Sequence, residues 1–363
     1  MKINPRPKTD GIALLIVMCA IFVLSIMAAA MAFSMKVEST LAQHTDTDQQ
    51  LIWLGRSGVE LARWLLAQET GIPGEPYDAL NQIWAGGAGG PGETNSMLTG
   101  IDLNNYQIGD GTVSIKIMDL ERFANINTAP APELQQALTL MGVNVDEISI
   151  VTDSIQDWVQ PGNMPRIAGA KNDYYQGLNP PYDCKEAPMD DISELLLVKG
   201  IWDHPEIYDP KKYAASMTGS AGPSLRHHLG FGNAPGETPN YPFGLVDLFT
   251  PFSQGRININ TADRNVLQLI PGVDATVADN LLKLRAGPDG VDGTADDTPF
   301  PDAGGALRTA GDPDPRAGNL VATHSATFRV TVTARLGGYT RDFNAILFRT
   351  GRTVQVVGFY WNY

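Results

Sequence analysis

The sequence predicts an α+β chain: one long N-terminal helix and an antiparallel β-sheet, split by a large mainly α-helical insertion. Three observations predict it. Residues 12–33 form an uncharged apolar run, IALLIVMCAIFVLSIMAAAMAF. Apolar and polar side chains alternate with the period of a strand at 111–120 (GTVSIKIMDL), and again clearly only near the end, at 327–336, 341–350 and 353–361. Between those places, roughly 125–320, lie helical segments and loops that carry a duplicated pentapeptide, Asn-Ile-Asn-Thr-Ala.

The helix comes first. Its apolar run is 22 residues long, and roughly twenty helical residues rising ~1.5 Å each cross ~30 Å of hydrocarbon. Lys2, Arg6 and Lys8 precede the run against Asp10, and Lys36, Glu38, Asp46 and Asp48 follow it. Basic flanks favour the cytoplasmic side, which places the short leader inside and the remaining chain outside. Beyond the run, Lys36 to Glu69 has no Pro, and Gly only at Gly55 and Gly58. Leu51, Leu54, Leu61 and Leu65 make one helical stripe, flanked by Ile52, Val59 and Leu66. One helix is therefore predicted from Ile12 to about Gln68, with a polar collar at Gln43–Gln50 and an end at Gly71 and Pro73. Residues 71–100, rich in Gly and Pro, read as a loop.

Three readings share this N-terminus. A secretory signal would be removed with its apolar core, using Ala28-Ala29-Ala30 as the site, although the run continues through Met31, Ala32 and Phe33. A plain signal anchor would be retained whole. The junction Asp10-Gly11-Ile12, a charged leader ending in Gly before a long apolar helix, resembles the type IV prepilin signal. That resemblance implies cleavage after Gly11 by the prepilin peptidase and methylation of the new N-terminus, Ile12. The family usually carries Phe or Met where Ile12 stands and Glu at the fifth mature position, which here is Ile16. A carboxylate in a bilayer is costly unless paired, and in pilins it meets the terminal ammonium of a neighbouring subunit. Ile16 avoids that cost and forgoes that pairing. Such a subunit suits an end of a fibre better than its repeating body.

Charge and composition narrow the function. The net charge of −14 becomes −16 once a leader with three basic residues and one acidic residue is removed, which suits an exported body and argues against broad nucleic-acid binding. Cys19 lies in the apolar run and Cys184 far beyond it, so no intrachain disulfide is expected. His44, His204, His227, His228 and His324 form no spaced metal motif. There is no Gly-x-Ser-x-Gly elbow and no Walker loop, so nothing points to catalysis.

The duplicated pentapeptide opens two helical units. Asn125 to Ala129 precedes PAPELQQALTLMGV, and Asn258 to Ala262 precedes DRNVLQLIPGV. In each the Thr reads as a helix N-cap, with Pro130 or Asp263 in the first turn. The second unit continues through Pro271-Gly272-Val273-Asp274 and Ala278 to Arg285, and resembles the helix-hairpin-helix motif. Hairpins that bind DNA carry Gly-Ile-Gly there, whereas this one places the Asp274 carboxylate where a phosphate would sit. The unit therefore reads as a packing module.

Two acidic clusters stand out. Asp289, Asp292, Asp296 and Asp297 lie within a glycine-rich run, GPDGVDGTADD, which could supply carboxylates and carbonyls to Ca²⁺ or could be a solvated acidic loop. The spacing is not that of an EF-hand. Asp183, Glu186, Asp190, Asp191 and Glu194 read instead as an acid-enriched helix N-terminus.

The central block consists of Asp157-Trp158, Gly169-Ala170-Lys171-Asn172-Asp173-Tyr174-Tyr175, Pro180-Pro181-Tyr182 and Ile192 to Gly200 (ISELLLVKG). With the leader and the duplicated pentapeptide, it resembles the general secretion pathway protein K family, the largest minor pseudopilins of type II secretion. The match covers nearly the whole chain and is weakest at 71–100 and 286–320. The family continues its Asp-Trp with Ile-Asp and further acids, where this chain has Val159-Gln160-Pro161. Asp157-Trp158 itself reads as a core Trp with a capping Asp. The resemblance implies a pilin-like fold whose insertion carries helix-hairpin-helix/SAM-like repeats near 125–160 and 258–286. It divides the chain into a leader (1–11), the N-terminal helix (12–69), a loop with the first pilin strands (70–124), the insertion (125–320) and the C-terminal pilin strands (321–363). It further implies a single-pass inner-membrane anchor with a periplasmic body. The role implied is at the pseudopilus tip, beside other minor pseudopilins and above the major pseudopilin stem, with calcium as a ligand and no nucleic acid. Two alternatives stay open. A minor pilin of a type IV pilus would share the leader and helix but rarely the duplicated insertion. A DNA-uptake receptor would use the hairpin and bind duplex DNA with steep salt dependence.

Overall fold

Helix α1 (Asp10–Glu69) is one uninterrupted element of 60 residues, about 90 Å long at ~1.5 Å per residue. It belongs to a computed structural model that describes residues 10–90, 92–93, 97–213, 241–311 and 314–361. The expected leader (residues 1–9 of it) and His227 and His228 lie outside the described residues. The helix has two chemically different halves. Ile12 through Ala42 is exposed along its whole length, and none of the apolar stretch that could cross a membrane is buried. From Leu51 onward one face goes inside: Leu51, Leu54, Val59, Ala62, Leu65 and Leu66 are all buried.

That face packs on a five-stranded antiparallel sheet of order β1-β2-β7-β8-β9. Its strands are β1 (Tyr106–Ile108), β2 (Gly111–Asp119), β7 (Thr327–Leu336), β8 (Tyr339–Thr350) and β9 (Thr353–Trp361). Alternation selects the inner face: Val113, Ile115 and Ile117 on β2, Phe328, Val330, Val332 and Ala334 on β7, and Phe343, Ala345 and Leu347 on β8. At the far edge, Phe359 stacks on Phe343 at 5.7 Å, with Trp361 beside both. The C-terminal aromatics thus close the core, while Val357 and Tyr360 point outward.

Two glycines let helix and sheet meet. A Cβ on Gly55 would lie 2.4 Å from the Phe343 ring, and one on Gly58 would lie 2.5 Å from Val332. Each Gly inside a helix costs about 1 kcal/mol relative to Ala, and close approach of the sheet is what that cost secures.

The insertion leaves the sheet after β2 and returns at β7. These strands are neighbours, with Asp119 opposite Phe328, so the described residues between 120 and 326 grow from one end of the sheet. In chain order it holds β3 (Ala124–Asn125), α2 (Ala131–Met141), α3 (Val145–Val159), α4 (Asn172–Tyr175), β4 (Phe249–Thr250), β5 (Ile257–Asn258), α5 (Arg264–Leu267), α6 (Ala275–Arg285), α7 (Ala303–Ala310) and β6 (Val321–Ala322). The insertion has its own core, separate from that of helix and sheet, which includes Leu134, Leu138, Val151, Ile155, Trp158 and Leu281.

Candidate functional site

The duplicated pentapeptide proves to be a structural device. In each copy the first Asn ends a two-residue strand in a parallel pair, β3 with β4 and β5 with β6. In each copy the first Asn turns the chain: the Asn125 and Asn258 side chains accept from the backbone N–H of Asn127 (2.8 Å) and Asn260 (3.0 Å). The second Asn then pairs with the backbone of one distant residue. Asn127 donates to Met189 O (3.1 Å) and accepts from Met189 N (2.6 Å). Asn260 does the same with Phe300, at 3.0 and 2.8 Å. Only a primary amide presents a donor and an acceptor side by side in this way. The expected Thr N-caps are not found. Pro130 caps α2 and Asp263 caps α5, neither with a side-chain bond, and Thr261 instead donates to Asp119. A Thr two residues before the cap cannot reach the first turn.

The second copy anchors the insertion to the stem through a buried polar network. Asp119, at the end of β2, accepts from Thr261 Oγ1, from Ser325 Oγ (2.7 Å) and from Asn258 Nδ2 (3.1 Å). Asn258 also donates to Asp78 O (3.0 Å). Asp78 pairs with Arg349 of β8, both nearly inaccessible, and Arg349 donates onward to Ser325 O (2.7 Å) and to Leu66 O of α1 (3.4 Å). Burial alone would raise the Asp78 pKa, but the Arg349 guanidinium outweighs it and holds this carboxyl below its usual range. Burial wins at Asp119, which is raised despite its hydroxyl donors. Glu121 is pushed up to about 8 by burial and by the charge of Asp119, although it accepts from the backbone N–H of Thr327 (3.0 Å) and Gln254 (3.3 Å).

The central block is a core. Trp158 meets Tyr175 edge-on at 5.3 Å, and Tyr182 packs against both. Asp157 does not cap a helix. It lies in the last turn of α3, too late for an N-cap, and accepts from Arg166 N (2.9 Å) and Arg166 Nη1 (2.7 Å). Gln160, standing where further acids were expected, takes the other Arg166 amine at 2.6 Å. Cys184 is buried and Cys19 exposed, and both are free. Asp191 caps a short 3-10 helix (Ile192–Leu197) with Glu194 completing a capping box, so that acid cluster does sit at a helix start.

The glycine-rich acidic loop is internally satisfied. Arg285 forms a two-pronged pair with Asp292 (2.9 and 2.6 Å). Asp289 accepts from Val291 N (2.8 Å), Asp296 from Asp289 N (3.1 Å) and Thr294 Oγ1 (2.7 Å), and Asp297 from Gly293 N (2.8 Å). Asp289, Asp296 and Asp297 thus keep oxygens of the type a calcium ion takes, while Asp292 is engaged by a cation already. Among the described residues, the carboxylates close enough to share an ion lie elsewhere, at Glu69, Glu75 and Glu93. Sequence reasoning missed them because they are separated by loop. At the hairpin, Gly272 has φ +86°, and Asp274 accepts from the N–H groups of Thr276 (2.8 Å) and Val277 (2.9 Å). The carboxylate occupies the helix N-terminus that a phosphate would need. Ile12 and Ile16 stand exposed on α1, and Gly11 lies within that helix.

The family model for type II secretion system protein K matches residues 101–209, the span from β1 through the Trp-Tyr core. The type II secretion system protein K of Klebsiella pneumoniae is 25% identical over 210 residues, 53% of this chain and 59% of its own length. That of Pectobacterium carotovorum is 26% identical over 209 residues, 54% and 60% of the two chains. Over these spans the chain is similar to the type II secretion system protein K family. It spans about three-fifths of the length of the curated relatives it matches. The likeness in fold extends further than that. A chain of the GspK-GspI-GspJ complex from enterotoxigenic Escherichia coli superposes with a TM-score of 0.60 over 89% of this chain and 99% of that one, at 17% identity.

Proposed function

We propose that this chain is a minor pseudopilin of the protein K family with a structural role, placed at the tip of the type II secretion pseudopilus, where it initiates or caps assembly for export across the outer membrane. One observation carries the reading: an insertion of about two hundred residues grows from the end of the sheet that meets the C-terminal end of α1. With the apolar half of α1 in the inner membrane, that end is the one farthest from the bilayer. A mass this large above the stem leaves no room for another subunit on top. Ile16 supports the same position, since the bilayer half of α1 offers no carboxylate to a subunit above it.

The finer assignments follow from it. The leader (1–11) is removed after Gly11 by the prepilin peptidase, leaving Ile12 as the N-terminus of a single-pass protein with a periplasmic body. The pilin-like parts are 12–69, 70–124 and 321–363, and 125–320 is the insertion. Its two Asn-Ile-Asn-Thr-Ala units are helix-hairpin-helix/SAM-like modules used for packing, and Asp274 at the second hairpin disfavours nucleic acid. Calcium is the proposed ligand of the loop bearing Asp289, Asp296 and Asp297, with Asp292 held by Arg285 as its brace. The partners are the counterparts of GspI and GspJ, with the major pseudopilin stem below. Purification of the full-length chain in detergent together with these two candidates tests the proposal. It predicts a stable ternary complex, in which the intact mass of this chain starts at Ile12. A chain that elutes alone, with or without calcium, would contradict the partnership, and an intact Met1 would contradict the processing.

A further inference from the structure

We propose that the cleft between the two Asn-Ile-Asn-Thr-Ala units is a docking site for an extended segment of a partner protein, one that carries a lysine or arginine between apolar residues. The cleft measures about 600 Å³, within the range of sites that seat several side chains. Each unit supplies one wall. The start of α2 brings Pro130, Pro132 and Glu133, and the hairpin before α6 brings Pro271 and Val273. Leu320 completes the apolar lining and is still partly exposed. Proline has no N–H, so these walls are poor in backbone donors and suit apolar contact.

Three charged side chains line the cleft: Glu133, Asp274 and Arg316. Arg316 is already matched, because its guanidinium pairs with Asp314 at 3.0 and 2.7 Å. Asp274 accepts from the N–H groups of Thr276 and Val277 and keeps its negative charge on the rim. Glu133 is partly buried in the first turn of α2. Among the described residues neither a cation nor a hydrogen-bond donor acts on its carboxyl, and burial pushes its pKa up to about 7. A carboxyl withdrawn from water without a partner is costly, and an incoming cation would relieve that cost through a charge-assisted hydrogen bond.

Charge therefore selects the occupant. Nucleic acid would set its phosphates against Glu133 and Asp274. A second copy of this chain brings 40 acidic residues against 26 basic, and two such bodies repel. A basic segment meets Glu133 with its cation and covers the prolines and Leu320 with its apolar neighbours. The cleft would serve in this way wherever the chain stands in the fibre.

Calorimetric titration of the full-length chain in detergent tests the site, with the acetylated peptide amide Pro-Leu-Lys-Leu-Pro as probe. Its counterpart with uncharged norleucine for lysine is the control. The expected result is one lysine peptide per chain, bound about tenfold or more tighter than the control. Because the cation binds the ionised carboxylate, affinity should fall about tenfold from about pH 8 to about pH 6. Glu133→Gln should abolish both the preference for lysine and the dependence on pH. Leu320→Trp, which fills the cleft and leaves its charges alone, should abolish binding at either pH. No saturable binding of the lysine peptide, equal binding of the control, or unchanged binding in either variant would overturn the proposal. Self-association of the chain that Glu133→Gln removes would also overturn it, and would assign the cleft to a second copy.

Discussion

At the residue scale, two asparagines and one glutamate carry separable consequences. Asn127 and Asn260 each bond both ways to one backbone residue. Asn→Asp at either position removes the donor and sets a charge against a carbonyl, at a cost of about 1–3 kcal/mol. The loss should be larger for Asn260, which is more deeply buried, and urea denaturation of the two variants measures it. Glu121 acts through pH. Its folded pKa is raised from 4.5 to about 8, so the folded state keeps a proton that the unfolded state gives up. Its contribution is fully present below about pH 4.5 and is lost as pH rises through about 8. Stability should therefore fall across that window, and Glu121→Gln should flatten the fall while costing about 1 kcal/mol for the hydrogen bond it loses. Urea midpoints near the two ends of the window decide; an unchanged slope would place the titration elsewhere. The duplicated Asn was legible as a repeat, but its partners Met189 and Phe300 were not, because a backbone amide leaves no mark in composition.

At the element scale, α1 was readable almost to the residue. Twenty-two apolar residues followed by a leucine stripe and a Gly-Pro stop leave few alternatives. The outer strands were equally clear from their alternation. What escaped were elements too short to show a period: β1 with three residues, and the two-residue strands β3 to β6. Parallel pairing between segments more than sixty residues apart has no local signature. The reason for Gly55 and Gly58 was also hidden until the sheet was in place. Gly58→Leu should force α1 away from Val332 and cost about 1–3 kcal/mol by overpacking, without shortening the apolar half. A lowered melting temperature with unchanged membrane insertion is the expected outcome; unchanged stability would mean that the helix and sheet are less tightly joined than described.

At the scale of the whole molecule, the chain is a stem with a cap. The stem is helix on sheet, and the cap is a second core seated on the far end through Asp119, Asn258, Asp78 and Arg349. Its broad division was legible because strand signals vanish between 120 and 327. The junction was not, since four buried polar residues drawn from four distant segments look like ordinary surface residues in sequence. Its rigidity matters for the proposed role, because a cap that swung aside would not block addition of another subunit. The proposed role places the chain at one end of the fibre. Gold labelling of a single cysteine introduced on the insertion, imaged on sheared pseudopili, tests it most directly. Label at one tip of each fibre is the expected result, and label distributed along the fibre would place the chain in the repeating body instead.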